Sequence, residues 1–292
     1  MKPAKFDYHR PGTVDEAVAV LERYQGEARV LAGGQSLVPM MNFRLATPAA
    51  IVDLNRIPGL AEITVTDGVV SIGAMARQRQ IGFAPLIADR LPLLREAVRW
   101  VGHLPTRTRG TIGGSIANAD PAAEIPMVLQ VLGGEIVARG PQGERRIAAP
   151  ELFLGPLTTS LAADEIVIEV CFAAMAPHCG YAIEEFARRK GDFAVAAIAV
   201  MLVQEGERCT AARLATAGVG PVPVRLREAE VILEERGLGE AAVAAAAERA
   251  AELVEPMSDH NASADYRRHL TAVLTRRAVL KAMKDTHHVG PG

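Results

Sequence analysis

GTIGGSIANADPAAEIPMVLQVLGG, residues 110–134, decides most of the fold, because it combines a glycine pair with the start and the end of a helix. Asp120 followed by Pro121 predicts a helix whose N-cap is the carboxylate and whose first residue is the proline. This helix should run to about Leu132 and end at Gly133-Gly134. The first glycine pair permits a sharp backbone turn shortly before the helix.

A similar glycine pair lies near the start of the chain, after a short apolar strand predicted at residues 29–32. Paired glycines bring amide N–H groups against a ligand without an intervening Cβ, and successive amides that point into one concavity bind anions. Two such loops facing one another would hold both phosphates of a dinucleotide, with hydroxyl groups as further donors. The predicted loops are Ala32, Gly33, Gly34, Gln35, Ser36 and Leu37 in the first, and Thr111, Ile112, Gly113, Gly114 and Ser115 in the second.

Each glycine pair also has a simpler interpretation, since a lone Gly-Gly is usually only a tight turn. Neither segment matches G-x-G-x-x-G or the P-loop pattern, which argues against NAD-type Rossmann binding and against ATP hydrolysis. The two segments are therefore informative only together and in their sequence context.

Other local patterns predict a mixed helix and strand region over residues 1–176, divided at about residue 57. Thr13 to Glu16 spells the capping box T-x-x-E ahead of an apolar helical face. Pro92 starts another helix. Short apolar strands are predicted at residues 51–54, 69–74 and 166–172 and near Ile136.

The composition changes near residues 175–180, where a proline, a histidine and a glycine fall close together. Three strands are predicted beyond this point, at residues 181–187, 194–203 and 213–219, followed by helices to about Met283. Strands and helices in separate blocks indicate a second, α+β domain at 177–285. The tail at 286–292 is predicted to be disordered.

Composition excludes several functions. The net charge of −2 gives no attraction to nucleic acid or to an anionic membrane, no segment reaches the ~20 apolar residues of a membrane span, and no signal sequence is evident, so a cytoplasmic protein is expected. Cys171, Cys179 and Cys209 share no C-x-x-C spacing. An iron–sulfur cluster takes four thiolates and structural zinc takes four Cys or His ligands, so we expect no metal site on this chain.

Six segments, spread over nearly the whole chain, carry a longer pattern. They are AGGQSLVPMMNFRLATPAAIVDL (32–54), TRGTIGGSIANADPAAEIP (108–126), GPLTTSLAADEIVIEV (155–170), RRKGDFAVAAIAV (188–200), ATAGVGPVPVR (215–225) and YRRHLTAVLTRRAV (266–279). Together, and in the expected order, they resemble the FAD-binding medium subunit of the molybdenum hydroxylases, the family that includes carbon monoxide dehydrogenase and relatives of xanthine dehydrogenase. The resemblance implies an α+β fold, in which a two-part FAD-binding domain of the PCMH/vanillyl-alcohol-oxidase type precedes a small antiparallel sheet with helices.

The same resemblance implies that both glycine loops bind the FAD pyrophosphate and that further residues contact the cofactor. Asn118 stands where members commonly have histidine, in the pattern A-x-A-D-P that also contains Asp120. Glu124 falls where relatives place a carboxylate near the ribose or adenine, although an acid in a first helical turn is also favoured by the helix dipole. Ile166 falls where an apolar residue packs close to the cofactor.

A charged segment is implied to lie near the isoalloxazine ring. It contains Arg189, Lys190 and Asp192, and the sequence does not show which of them touches the ring; a solvated cluster of charges is the alternative interpretation. A cation here, such as Lys190, would stabilise the anionic reduced flavin by simple electrostatics.

The resemblance also implies partners and a direction of electron flow. Substrate is oxidised at a molybdenum–pterin centre in a large subunit, electrons cross two-iron two-sulfur clusters in a small subunit, and FAD on this chain passes them to a final acceptor. A dimer of such three-chain units is expected, and this chain needs no catalytic acid or base. Two alternatives remain, a self-contained flavin oxidase and a structural or assembly subunit without flavin.

Overall fold

In the computed structural model, residues 2–205 and 208–285 are described, and the tail predicted at 286–292 lies outside them. The first part of the chain forms a parallel sheet of three strands in the order β1-β3-β2. Its elements are β1 (Asp7–His9), α1 (Val14–Arg23), β2 (Ala28–Leu31), α2 (Leu37–Asn42) and β3 (Ala50–Asp53).

The predicted capping box starts helix α1. The Thr13 hydroxyl accepts a hydrogen bond from the Glu16 amide at 3.1 Å, and the Glu16 carboxylate accepts one from the Gly12 amide at 2.7 Å. Ala17, Val18 and Leu21 on the inner face are buried. The prediction of this helix is confirmed, with the return bond made one residue earlier than in the usual box.

The middle of the chain forms an antiparallel sheet of five strands, in the order β4-β5-β10-β6-β7, and a two-stranded ribbon of β8 and β9. Short helices fill the long connection between β5 and β6. The elements are β4 (Ile63–Thr66), β5 (Val69–Gly73), α3 (Gln78–Phe83), α4 (Pro85–Arg90), α5 (Pro92–Trp100), α6 (Leu104–Arg109), α7 (Ile112–Asn118), α8 (Glu124–Leu132), β6 (Glu135–Gly140), β7 (Gly143–Ala148), α9 (Ala149–Leu152), β8 (Phe153–Gly155), β9 (Thr158–Thr159) and β10 (Ile166–Ala173).

The start of α8 corrects one prediction. Asp120 is not the N-cap of this helix, because α8 begins at Glu124 with Ala123 as its N-cap. The Asp120 carboxylate instead accepts a hydrogen bond from the Ala122 amide at 2.9 Å. Asp-Pro favours such a turn as readily as a helix start. The predicted end is confirmed, since Gly133 follows Leu132 in the left-handed conformation.

The last part of the chain forms an antiparallel sheet of four strands in sequence order, with three helices on one face. The predicted strands and helices are confirmed, although the third strand begins five residues earlier than residue 213. The elements are β11 (Gly180–Phe186), β12 (Ala196–Glu205), β13 (Arg208–Ala217), β14 (Val224–Arg225), α10 (Arg227–Arg236), α11 (Glu240–Glu252) and α12 (Ala264–Asp285).

Strand β12 joins the two halves of the molecule because both of its faces are buried. Ile198 and Val200 point into the core under the C-terminal helices. Ala197 and Ala199 point the other way, into the large core that contains α5 and α8. Alternation along a strand explains this division, and the small alanine side chains let α8 pack closely on the sheet. All nine residues of α8 are buried. None of the described helices combines the length and hydropathy of a membrane span.

Candidate functional site

The two predicted glycine segments meet. A Cβ built on Gly33 would lie 2.3 Å from the carbonyl oxygen of Arg109 and 2.8 Å from the Cα of Gly110. A Cβ on Gly114 would lie 3.4 Å from the Cβ of Ala32. Real Cβ atoms do not approach backbone so closely, so glycine at position 33 is what allows the first loop to touch the second segment. Sequence spacing did not reveal this contact, but the structure brings the two segments together.

The first segment is a loop with unused amide groups. It runs from the end of β2 to the start of α2, and Gly34 has a φ of +73°, which favours glycine. Within the described residues, the amides of Gly33, Gly34, Gln35 and Ser36 have no protein acceptor. Ser36 and Gln35 are exposed and Leu37 begins the helix. Consecutive free amides in a tight turn attract an anion.

The second segment is not a loop, and this prediction was wrong. Residues 112–118 form helix α7, and Thr111 is its N-cap, with the hydroxyl accepting from the Gly114 amide at 3.1 Å. The Gly113 amide donates to the Ala74 carbonyl at 2.9 Å, and the Ser115 amide donates to the Thr111 carbonyl at 3.1 Å. A threonine N-cap explains the helix. Its first amides are therefore already bonded, and the half-buried Ser115 is left to offer its hydroxyl.

Gly113 lets α7 pack on the end of strand β5. A Cβ at this position would lie 2.5 Å from the Cβ and 2.8 Å from the carbonyl oxygen of Ala74. Ile112, its neighbour, is fully buried, and its amide donates to the Ala76 carbonyl at 3.1 Å. The residues predicted as a ligand loop thus also anchor the helix to the five-stranded sheet.

Three of the predicted polar residues lie along the turn from α7 to α8. Asn118 is the last residue of α7 and is half-buried. Burial raises the pKa of Asp120. Glu124 is 7% exposed, and burial, reinforced by the charge of Asp120, raises its pKa to about 7, while Arg107 opposes the shift. A carboxyl group of this kind is half protonated near neutrality and can donate or accept a hydrogen bond.

Sequence reasoning missed a second buried carboxyl group, on strand β11. Burial raises the pKa of Glu185 to about 8, and the charge of Glu124 adds to the shift. Its Oε2 atom is buried and has no hydrogen-bond partner among the described residues. Glu184 and Glu185 are consecutive in the strand and point to opposite faces, and the sequence does not show which of the two carboxyl groups is buried. Glu185 on the C-terminal sheet is therefore close enough to Glu124 of α8 for the two charges to repel each other.

Ile166 lies in the interior. It is 2% exposed and belongs to a cluster that joins the first sheet to the second, together with Ala17, Val18 and Met75. The structure thus places it among packing residues at the junction of the two sheets.

The predicted charged segment forms an exposed turn between β11 and β12. Arg189, Lys190 and Asp192 are all exposed, and the Asp192 amide donates to the Arg189 carbonyl at 3.1 Å. Within the described chain none of the three makes an ion pair. Gly191 has a φ of +90°, and a Cβ there would lie 2.4 Å from the His103 ring. The turn therefore lies against the segment that leads into α6 and α7.

The arrangement suits a phosphate-containing ligand rather than acid–base chemistry. Free amides, hydroxyl groups and nearby guanidinium groups stabilise phosphate oxygens. No group of three or more His, Cys, Asp or Glu side chains in the described ranges could hold a metal ion. Asn55 and Arg77, which sequence reasoning also missed, connect the two glycine segments by hydrogen bonds.

Comparison with known protein families gives two matches that together span most of the chain. Residues 4–172 match the FAD binding domain in molybdopterin dehydrogenase, and residues 181–282 match the CO dehydrogenase flavoprotein C-terminal domain.

Known proteins of similar length belong to multi-chain dehydrogenases of the same kind. The chain is 39% identical to the 6-hydroxypseudooxynicotine dehydrogenase complex subunit alpha of Paenarthrobacter nicotinovorans, over 97% of this chain and 96% of that one. It is 37% identical to the carbon monoxide dehydrogenase medium chain of Hydrogenophaga pseudoflava, over 96% and 97%. Among solved structures, carbon monoxide dehydrogenase from Hydrogenophaga pseudoflava, in a form that lacks the Mo-pyranopterin moiety, superimposes with a TM-score of 0.96 over 97% of this chain and 99% of that one, at 37% identity.

Proposed function

Because this chain belongs to the family of FAD-binding medium subunits of the molybdenum hydroxylases, we propose that it holds FAD where its two glycine segments meet and passes electrons on from its partner chains. The family membership makes it the FAD-carrying subunit of a multi-chain dehydrogenase. The observation that carries the proposed site is the row of four unused amides at residues 33–36, placed in contact with the start of α7.

The residues present fit a diphosphate. The first loop offers its amides and the Ser36 hydroxyl, and the second segment offers the Ser115 hydroxyl. Gly33 and Gly114 add no Cβ where the two segments meet, and the Cβ of Ala32 packs against Gly114. Charge-assisted hydrogen bonds to phosphate oxygens are among the stronger polar interactions in proteins. The first loop therefore supplies most of the main-chain donors, and the second segment supplies shape and a hydroxyl group.

The other predicted site residues are proposed to contact or support different parts of FAD. Glu124, with a pKa near neutrality, is proposed to bond the ribose or adenine hydroxyl and amino groups, with Asn118 and Asp120 shaping the same turn. Ile166 supports the site by packing. The exposed turn with Arg189, Lys190 and Asp192 is proposed to lie beside the isoalloxazine ring.

FAD, when bound, accepts and releases electrons either singly or in pairs. The chain's own part is to hold the cofactor, to set its electrostatic surroundings and to limit its exposure. The cationic side chains of Arg189 and Lys190 would favour negative charge on the ring beside them.

We also propose the partners and the setting. An iron–sulfur small subunit and a molybdopterin-binding large subunit would supply the electrons, in a dimer of heterotrimers in the cytoplasm. In support, the relatives are themselves called subunits or medium chains. The three cysteines give no reason to place a cluster on this chain, since Cys171 and Cys209 lie buried on separate strands.

A titration of the purified full-length chain with FAD tests the proposal. Flavin removed by mild chaotrope should rebind at one FAD per chain, with a change in flavin fluorescence and absorption. Riboflavin, which lacks the diphosphate, is the matched ligand and should bind far more weakly. Absence of FAD binding, or equal binding of riboflavin, would contradict the proposed site and favour a subunit without flavin.

A further inference from the structure

We propose that Asn55 and Arg77 are positioning residues that hold the first glycine loop against the start of α7, so that FAD meets a preformed site. Together these two side chains form the Asn55–Arg77 link. This inference rests on the proposed FAD function, and it adds two residues outside both glycine segments.

Asn55 holds the first loop. Its Nδ2 group donates to the carbonyl oxygen of Ala32 at 2.9 Å. Asn55 is itself fixed by Asp53 at the end of β3, whose carboxylate accepts from the Asn55 amide at 2.9 Å and from Nδ2 at 2.5 Å. Asp53 is 7% exposed and also accepts a hydrogen bond from the Tyr8 hydroxyl. The side chain of Asn55 therefore has little freedom to leave the loop.

Arg77 connects Asn55 to Arg109, the last residue of α6, two residues before the second segment. One terminal nitrogen of its guanidinium donates to Oδ1 of Asn55, and the other donates to the carbonyl oxygen of Arg109. The backbone of Arg77 also forms a β-bridge with Thr111, the N-cap of α7. A planar guanidinium makes two such bonds in fixed directions, which a lysine ammonium does not.

The link and the glycine contact converge on one atom. The Arg109 carbonyl oxygen that accepts from Arg77 is the atom that a Cβ on Gly33 would approach to 2.3 Å. The first loop is thus held at this point by close backbone packing and by a hydrogen-bonded chain through Asn55. Loss of either contact frees the loop to move away from α7.

The charges around the link favour an anion between the two segments. Burial lowers the pKa of Arg77, and the neighbouring charge of Arg109 lowers it further, while Asp53 opposes the shift. The Arg77 guanidinium, which donates to the Arg109 carbonyl oxygen, is therefore exposed to the repulsion of the Arg109 charge as well as to the attraction of Asp53. A bound diphosphate would relieve this repulsion.

A preformed site binds more tightly because less conformational freedom is lost on binding. Hydrogen bonds that involve a charged group are worth enough that loss of the link should weaken FAD binding about 10- to 100-fold. Loss of the link is not expected to unfold the chain, because neither the Asn55 nor the Arg77 side chain lies in an apolar core.

The test measures FAD affinity and the melting temperature of the FAD-free full-length chain for Arg77→Gln, Arg77→Lys, Asn55→Ala and the double variant. We expect Arg77→Gln and Asn55→Ala each to weaken FAD binding about 10- to 100-fold. The double variant should bind FAD no more weakly than the weaker of the two single variants, because the two side chains act as one unit. Arg77→Lys should behave like Arg77→Gln. Arg79→Gln, which removes the same charge from an exposed side chain beside Phe83, should bind FAD normally.

Unchanged affinity in Arg77→Gln and Asn55→Ala would overturn the inference, as would full rescue by Arg77→Lys, which would make charge rather than geometry the cause. If Arg77→Gln fails to fold, Asn55→Asp serves in its place, since it keeps the size of the side chain and places an acceptor against the Ala32 carbonyl. Visible circular dichroism of the flavin at saturating FAD should also change in the variants. Failure of the wild-type chain to bind FAD would instead refute the proposed function.

Discussion

Gly33 is the residue on which the geometry of the candidate site depends most directly. Its hydrogen faces the Arg109 carbonyl, and no other side chain fits there. The loop that follows has four unused amides and an exposed serine hydroxyl. A methyl group at this position would therefore push the two segments apart without removing any side-chain hydrogen-bond donor.

Gly33→Ala should weaken FAD binding at least about tenfold, because the added Cβ pushes the loop away from α7 at a cost comparable to overpacking a core. The dissociation constant of FAD for the full-length chain is the measurement. Gly239→Ala is the matched control, since a Cβ there meets nothing within 4 Å. Normal FAD affinity in Gly33→Ala would show that the two segments need not touch.

Glu185 gives a prediction about pH. Its raised folded-state pKa, to about 8, means that the folded chain keeps a proton that the unfolded chain loses above about pH 4.5. Its contribution to stability therefore falls as the pH rises from about 4.5 to about 8. Glu185→Gln should make the chain more stable at pH 8.5 by about 1–3 kcal/mol and leave stability at pH 4.5 nearly unchanged.

Urea denaturation at both pH values measures this effect. Glu184→Gln is the control, because Glu184 lies next to Glu185 but pairs with Lys281 at 3.5 Å. It should give no gain at pH 8.5. A Glu185→Gln variant that is no more stable than wild type at pH 8.5 would mean that Glu185 is ionised without cost in the folded chain.

At the level of elements, helix α8 carries much of the packing. It contacts β10 on one side, α5 beside it, and β12 and β13 on the other side. Its apolar residues are buried in one continuous core with both sheets. Removal of apolar volume here should therefore destabilise both halves of the molecule together.

Leu129→Ala should lower the free energy of unfolding by about 2–5 kcal/mol, because it removes a fully buried side chain and leaves a cavity. Val231→Ala, on the outer face of α10 where the valine is 45% exposed, should cost far less. Thermal unfolding followed by circular dichroism measures both. A single transition that shifts as a whole is expected, and a Leu129→Ala variant as stable as Val231→Ala would contradict the central position of α8.

Elements with strong local signals were predictable from the sequence. The capping box of α1, the proline start of α5 and the apolar run of β12 each specify their element locally. Short elements such as β1, β4 and α2 were missed, since they depend on tertiary contacts more than on propensity. The Asp120 turn was misassigned because aspartate followed by proline suits a turn and a helix start equally well.

The candidate site was predictable only where its chemistry lies in one stretch of chain. The two glycine segments could be recognised, but the helix at residues 112–118 could not be distinguished from a loop, because its N-cap Thr111 precedes two glycines. The Asn55–Arg77 link could not be predicted. Its hydrogen bonds join residues 22, 23 and 32 positions apart, and no periodic pattern in the sequence connects residues at such separations.

At the scale of the whole molecule, the C-terminal sheet is joined to the rest of the described chain by polar contacts as well as by apolar packing. The Lys281 ammonium bonds Glu96 of α5 at 2.9 Å. The Gly218 amide donates to the Pro121 carbonyl at 2.8 Å, in the turn before α8. The exposed turn at 188–193 is close to the residues before α6, because a Cβ at Gly191 would lie 2.4 Å from the His103 ring. The division near residue 176 and the proposed partner chains stay predictions.

Whether FAD on this chain receives electrons from partner chains is tested by purifying the complex through a tag on this chain and recording an absorption spectrum before and after addition of a reducing substrate. We expect a flavin spectrum together with iron–sulfur absorbance, release of FAD on denaturation, and bleaching of the flavin only while the partner chains are present. Flavin reduction by substrate on the isolated chain would contradict it in favour of a self-contained oxidase. A complex that holds no flavin, even after FAD is added, would contradict it in favour of a structural subunit.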